Sequence, residues 1–284
     1  MKSVLFTVPV LLLVFSVAGW SSTGHVFLTG HDPDYHASAG GNTAGAQHII
    51  QDGINFADGG TFVRALLVTD LRNPGGDQSD SRLGMNAAGY TGLYDIADYG
   101  SGTLGVLDLH TVDFSLYSVV VIASDYGGWL RQDELDILNA RRTDLGNYLF
   151  GGGGLVAFAE GGDRATGGDP SIYPGTSHDR YGYLPAIVSS AALNQSESGV
   201  TVTSFGGTLG LTSADVNGNA SHNIFTNTAG LNVVDNDAAG DILSLAGDYT
   251  PSLSQTPEPS TISLLAIGLI AGIGRLRKKN KLEV

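Results

Sequence analysis

Apolar residues along this chain come in two textures. In the first 160 residues they form short unbroken runs: Val26-Phe27-Leu28-Thr29, Ala65-Leu66-Leu67-Val68-Thr69, Tyr117 to Ala123 around Val119-Val120-Val121-Ile122, and Leu155 to Ala159. Each has the length of a strand buried on both faces. Between them the apolar spacing becomes helical. Ala44 to Ala57 carries Ile49, Ile50, Ile54 and Phe56, and Gln132 to Phe150 carries Leu135, Ile137, Leu138, Leu145, Tyr148 and Leu149 mostly on one stripe. Apolar strands alternating with helices predict an α/β class with an open, mostly parallel sheet covered by helices. From about Tyr181 the texture changes. Thr201-Val202-Thr203, Leu209-Gly210-Leu211, Leu231 to Val234 and Ile242 to Leu245 are short, β-like and punctuated by glycine. They predict a β-rich completion of the same domain, with a small second domain as the alternative.

The two ends of the chain are different again. Lys2, the apolar stretch Val4 to Val17 and the small residues Val17-Ala18-Gly19 have the order of a secretory signal peptide, which predicts residues 1–19 as a segment removed by signal peptidase. At the other end stand Pro257-Glu258-Pro259, an apolar stretch from Ile262 to Ile273 and the basic group Arg275, Arg277, Lys278 and Lys279. A lasting anchor needs about 20 apolar residues. Residues 261–274 fall short of that, which fits transient membrane contact, with the basic group on the cytoplasmic side.

This tail resembles the PEP-CTERM sorting signal of Gram-negative bacteria, and the resemblance covers residues 255–284 alone. It implies an exported chain, held first as an inner-membrane precursor, whose Pro257-Glu258-Pro259 element exosortase recognises. The expected destination is the cell surface or extracellular matrix. That leaves residues 20–254 as the working domain.

Removing the ends sharpens the charge. Six of the 14 basic residues and two of the 28 acids lie in the end segments, so residues 20–256 carry 26 acids against 8 arginines, a net of about −18. Such a surface repels nucleic acid and anionic membranes. The chain has no cysteine, which excludes disulfides, thiolate metal sites and thiol nucleophiles.

In an open parallel sheet, ligands bind beyond the carboxyl ends of the strands. Here those positions are acidic: Asp32, Asp70, Asp125 and Glu160, with His31 and His36 in the first loop. Carboxylates and imidazoles together suit a divalent cation or the hydroxyls of a sugar. His31, Asp32 and Asp70 are candidate ligand-binding residues, and His31, Asp32 and His36 candidate metal ligands. Each aspartate could equally cap a helix or shape a turn. Glu160 is harder to read that way.

The long helix leading into Gly151-Gly152-Gly153-Gly154-Leu155-Val156-Ala157-Phe158 and then Glu160-Gly161-Gly162 is similar to the flavodoxin-like core of the class I glutamine amidotransferase-like superfamily, over about residues 24–190. That resemblance places Glu160 where the superfamily has its nucleophilic cysteine. The later histidine would be His222, followed by Asn223-Ile224 rather than the expected acid. Glutamine hydrolysis through a thioester is excluded, and the chain resembles the branches that lack the nucleophile.

Two further patterns are weaker. Asp215 to Asn219 and Asp235 to Asp241 alternate oxygen-bearing residues like calcium loops, but neither has the acid required at the twelfth position, so turns are expected. No Gly-x-Ser-x-Gly elbow occurs. Two functions stay open. One is a non-catalytic surface protein binding extracellular polysaccharide or a protein partner. The other is a hydrolase or sugar-modifying enzyme using Glu160 or Asp125 with a histidine such as His222, with or without a divalent cation.

Overall fold

The computed structural model describes residues 23–71, 81–125, 127–161, 180–184, 188–193 and 198–249. The expected signal peptide, the loop 73–80, His178-Asp179 and the tail with Pro257, Glu258, Pro259, Arg275 and Arg277 lie outside the described residues.

The chain opens with β1 (Gly24–Thr29), a single turn α1 (Pro33–His36) and α2 (Thr43–Ala57), whose start is capped by the Asn42 side chain accepting from Gly45 N–H. Then follow β2 (Ala65–Val68), α3 (Ser81–Met85), β3 (Tyr94–Asp98), β4 (Val106–Asp108) and β5 (Val119–Ile122). Next come α4 (Gln132–Ala140), α5 (Arg142–Phe150) and β6 (Gly154–Ala157). The remainder is β7 (Ser189–Ala192), β8 (Thr201–Val202), α6 (Ser204–Leu209), β9 (Asn223–Asn227), β10 (Asn232–Asn236) and β11 (Ile242–Tyr249).

All eleven strands join one sheet, in the order β4-β3-β2-β5-β6-β1-β11-β10-β8, with β9 on β11 and β7 on β9. The four apolar runs are consecutive parallel neighbours, β2-β5-β6-β1, as their pattern predicts. The mostly parallel sheet is a correction, however: the sheet is mixed. The far side of β1 is taken by antiparallel β11, and every pairing beyond it is antiparallel.

Both faces of the parallel half are buried, which is why its strands carry no polar alternation. Val26, Leu28, Leu66, Val68, Val120, Ile122 and Leu155 pack with Leu135, Leu138, Leu145 and Leu149 of α4 and α5. The alternate residues Phe27, Leu67, Val119, Val121 and Val156 pack with Ile49, Ile50 and Ile54 of α2. These layers hold the carboxyl ends of β1, β2, β5 and β6 side by side.

Three local expectations change. The single helix over Gln132–Phe150 is two helices broken at Arg141, whose guanidinium lies 4.2 Å from the Phe114 ring centre and donates to Leu109 O. Leu209 ends α6 instead of starting a strand, because Thr203 caps that helix and Gly210 closes it at φ 111°. Finally, β3 and β4 carry Asp95, Asp98 and Asp108 among few apolar residues, so apolar runs do not reveal them.

Candidate functional site

The loop after β1 brings three buried acids and imidazoles to the carboxyl edge. His31 is 1 % exposed and turns away from the other candidates. Its Nε2 donates to Asp235 Oδ2 at 2.8 Å, which leaves Nδ1 to accept from Ser221 Oγ at 3.0 Å. Serine, histidine and aspartate are thus in line, but all three are sealed from solvent and no substrate reaches Ser221. The trio ties β1 to the β-rich half. His31, the candidate ligand, has both ring nitrogens engaged within the fold and acts as an internal strut.

Asp32 is the centre of a second group. Its Oδ1 lies 3.3 Å from His36 Nε2 and its Oδ2 3.2 Å from His222 Nε2. Both Asp32 oxygens are buried, and the two imidazoles are the donors that face them. His36, with its side chain 15 % exposed, is the member nearest solvent. Burial works against charge on His222, but Asp32 facing it, with Asp125 and Asp34 behind, outweighs this and raises its pKa above the usual imidazole value.

The β5 loop presses against this group. Asp34 accepts from Ser124 Oγ and N–H at 2.7 and 2.9 Å, and its complete burial raises its pKa to about 7 against those bonds. A Cβ on Gly128 would come within 1.7 Å of Asp34 Oδ2, and one on Gly127 within 2.3 Å of Tyr35 Cβ, so only glycine lets the two loops meet.

Glu160 and Asp125 close the arrangement from β6 and β5. Asp125 Oδ1 accepts from Gly161 N–H at 3.1 Å. Glu160 is fully buried and accepts from Tyr181 N–H at 2.8 Å and from the Tyr183 hydroxyl. Burial pushes it up to about 8, opposed by those two bonds and by Arg180, and helped by Asp125. A nucleophile elbow strains its central residue. Glu160 is absent from the positive-φ residues, and its side chain points at tyrosines rather than into a cleft.

At the boundary of β2 and β5 the chain order reverses, the usual place for a ligand. Asp70 Oδ2 is 3.2 Å from Arg131 Nε, and the Arg131 guanidinium lies over the Trp129 ring at 5.6 Å. Trp129 has φ 71°, pinned by Asp70 N–H donating to its carbonyl, and its indole Nε1 is buried without a partner. Left-handed backbone at a bulky residue costs about 1–3 kcal/mol and concentrates at functional positions. Trp129 and Arg131 escape a reading based on acids and histidines. Their signal is the sequence Gly127-Gly128-Trp129 directly after the longest apolar strand.

The chemistry of the edge is therefore inward. His31, Asp32, Asp70, Asp125, Glu160 and His222 all lie buried at the carboxyl ends, but in separate groups: His31 with Asp235, Asp32 with His222, Asp70 with Arg131, and Glu160 with its tyrosines. Among the described residues, no three His, Asp or Glu side chains are spaced to hold a metal ion. The two calcium-like stretches are turns: Asp237 accepts from Ala239 and Asp241 N–H, and Asp215 accepts from Thr212 and His48.

The tail identifies itself by comparison. Residues 255–278 match the PEP-CTERM protein-sorting motif. This motif marks a chain that is exported and processed by exosortase, and it indicates surface or extracellular association in a Gram-negative bacterium. Comparison with curated proteins and with solved structures yields no match. Among the described residues no helix is long and apolar enough to cross a membrane.

Proposed function

We propose that this exported protein is a non-catalytic surface or matrix binding protein, and that its working domain, residues 20–254, takes hydroxyl-rich ligands such as extracellular polysaccharide at the Asp32 group. The observation that carries the reading is the group at the carboxyl edge in which Asp32 lies between the imidazoles of His36 and His222, with His36 part-exposed. A buried carboxylate is acceptor-only and calls for donors. The two imidazoles supply them, and the part-exposed His36 is the member that a sugar hydroxyl would meet first. An inactive amidotransferase-like ancestry draws support from the parallel order β2-β5-β6-β1 and from the helix-to-strand glycines before β6.

The test is affinity electrophoresis of the processed protein through gels containing extracellular polysaccharide. Retardation that is lost in Asp32→Asn, with the near-ultraviolet spectrum kept, is expected. Equal mobility of both proteins with and without polysaccharide overturns the reading.

One observation favours the enzymatic alternative: His222 gains protons more readily than a free imidazole and stands beside Asp32, with Asp125 close enough to contribute. An acid-base pair of this kind would work through Asp32 or Asp125. Glu160, committed to Tyr181 and Tyr183, is the poorer partner. Release of reducing ends from polysaccharide by wild type but not by His222→Gln would replace the binding reading with this one.

A further inference from the structure

The opposite edge of the sheet carries a separate feature. Among the described residues seven large apolar side chains are well exposed, and five of them precede successive parallel strands: Leu104 before β4, Leu93 before β3, Val63 before β2, Leu116 before β5 and Phe150 before β6. The strand order places them in the row Leu104, Leu93, Val63, Leu116, Phe150 along the amino edge. Backbone bonds confirm the proximity: Ala65 N–H donates to Leu93 O and Ser118 N–H to Arg64 O. Leu104 is 100 % exposed and Val63 78 %, a large loss of apolar burial for side chains of this size. Single exposed apolar residues need no explanation, but a row along one edge does.

The same row leads to where the chain leaves the fold. β1 lies beside β6, and Gly24 at its start pairs with Tyr249 at the end of β11. Both end segments, the expected signal peptide and the sorting tail, therefore join the domain at this edge. Strands are about 4.8 Å apart, so the row from β4 to the exit at β11 spans about 29 Å. From Tyr249 the residues 250–261 reach at most about 40 Å before the apolar stretch of the tail begins. An inserted tail attached at this edge holds it near the bilayer at high effective concentration.

We propose that the amino-edge row of Val63, Leu93, Leu104, Leu116 and Phe150 rests on the lipid surface while the tail is inserted, so that the precursor stands with its Asp32 edge pointing away from the membrane. This rests on the sorting reading of the tail. The contact is apolar insertion, since Arg64 is paired with Asp95 and Arg141 with Asp144 and the domain is strongly acidic. Zwitterionic lipid is the favoured surface.

The chain lacks cysteine, so single cysteines report cleanly. Full-length precursor bearing an environment-sensitive fluorophore at Leu104→Cys, Leu116→Cys or, at the opposite edge, Ala239→Cys is reconstituted in phosphatidylethanolamine vesicles doped with spin-labelled lipid. Quenching several-fold stronger at 104 and 116 than at 239 is expected. It should fall to the level of 239 in the added Val63→Ser/Phe150→Ser background, whose exposed positions leave folding intact. Equal quenching at all three positions overturns the proposal. Cross-linking of 104 to 104 between chains without quenching assigns the row to a second copy, and cross-linking of 104 to residues 262–273 assigns it to the tail; either result also overturns it. Carbonate extraction of the unlabelled precursor is read separately. Release from the vesicles marks failure of the tail's insertion, and retention with equal quenching marks failure of the edge contact alone.

Discussion

His222 Nε2 stands 3.2 Å from Asp32 Oδ2, joining the end of β1 to the start of β9 across most of the chain's length. The pair makes proton binding part of the fold. Asp34 holds its proton to about pH 7 and Glu160 to about pH 8, whereas their unfolded counterparts release theirs near 4. His222 likewise holds its proton above the usual imidazole range. Raised folded pKa values mean stability lost as pH rises: the acids' share falls between about pH 4 and 8, and the imidazole's from about 6.5 upward.

Thermal unfolding should therefore give a higher Tm at pH 5.5 than at pH 8.5. Over this interval Asp34 contributes about 2 kcal/mol and Glu160 about 3 kcal/mol to the difference. Asp34→Asn and Glu160→Gln should each flatten the pH profile, because neither substitute titrates. A wild-type Tm that climbs toward pH 8.5, or variants that run parallel to wild type, contradicts this account.

Removing His31 should be among the most damaging changes. His31→Ala leaves Asp235 buried with its partner gone and Ser221 without its acceptor, a loss of about 3–5 kcal/mol. Asp235→Asn in the same background should recover part of it by removing the stranded charge. Chemical denaturation of the single and double variants checks both; a double variant weaker than His31→Ala alone would rule out the strut.

The glycines before β6 should differ sharply from one another. A Cβ at Gly154 would lie 2.2 Å from Ala57 O and one at Gly153 2.2 Å from the Tyr148 ring, while one at Gly151 meets nothing closer than 3.3 Å. Gly154→Ala is expected to cost about 3 kcal/mol or more, and Gly151→Ala under about 1. Equal denaturation midpoints for the two variants would refute the packing argument.

Replacing Pro257-Glu258-Pro259 with alanines should leave the precursor in the inner membrane of a host that has exosortase. Fractionation and immunoblotting decide it: normal maturation of the triple variant would remove the sorting element from these residues.

The parallel half of this fold is legible because burial on both faces demands unbroken apolar runs, and β2, β5, β6 and β1 supply them. Its continuation is not. β11 reads as one more short strand, and nothing in Ile242 to Tyr249 says that it lies antiparallel against β1. The acids of the carboxyl edge are legible as residue types at strand ends, since strand geometry alone puts Asp32, Asp125 and Glu160 there. Their burial is not, because it depends on partners far along the chain: Tyr181 and Tyr183 for Glu160, His222 for Asp32, Asp235 for His31. Local sequence predicts where a side chain starts, and distant sequence decides what it meets.

The pairing of Gly24 with Tyr249 also sets a timetable. Among the described strands β1 comes first in the chain, yet its two neighbours are β6 and β11, the latter the last of them. Contacts of such separation close late and slowly. The sheet around β1 is complete only once β11 is available, so the domain closes only when the residues leading into the sorting tail have been made.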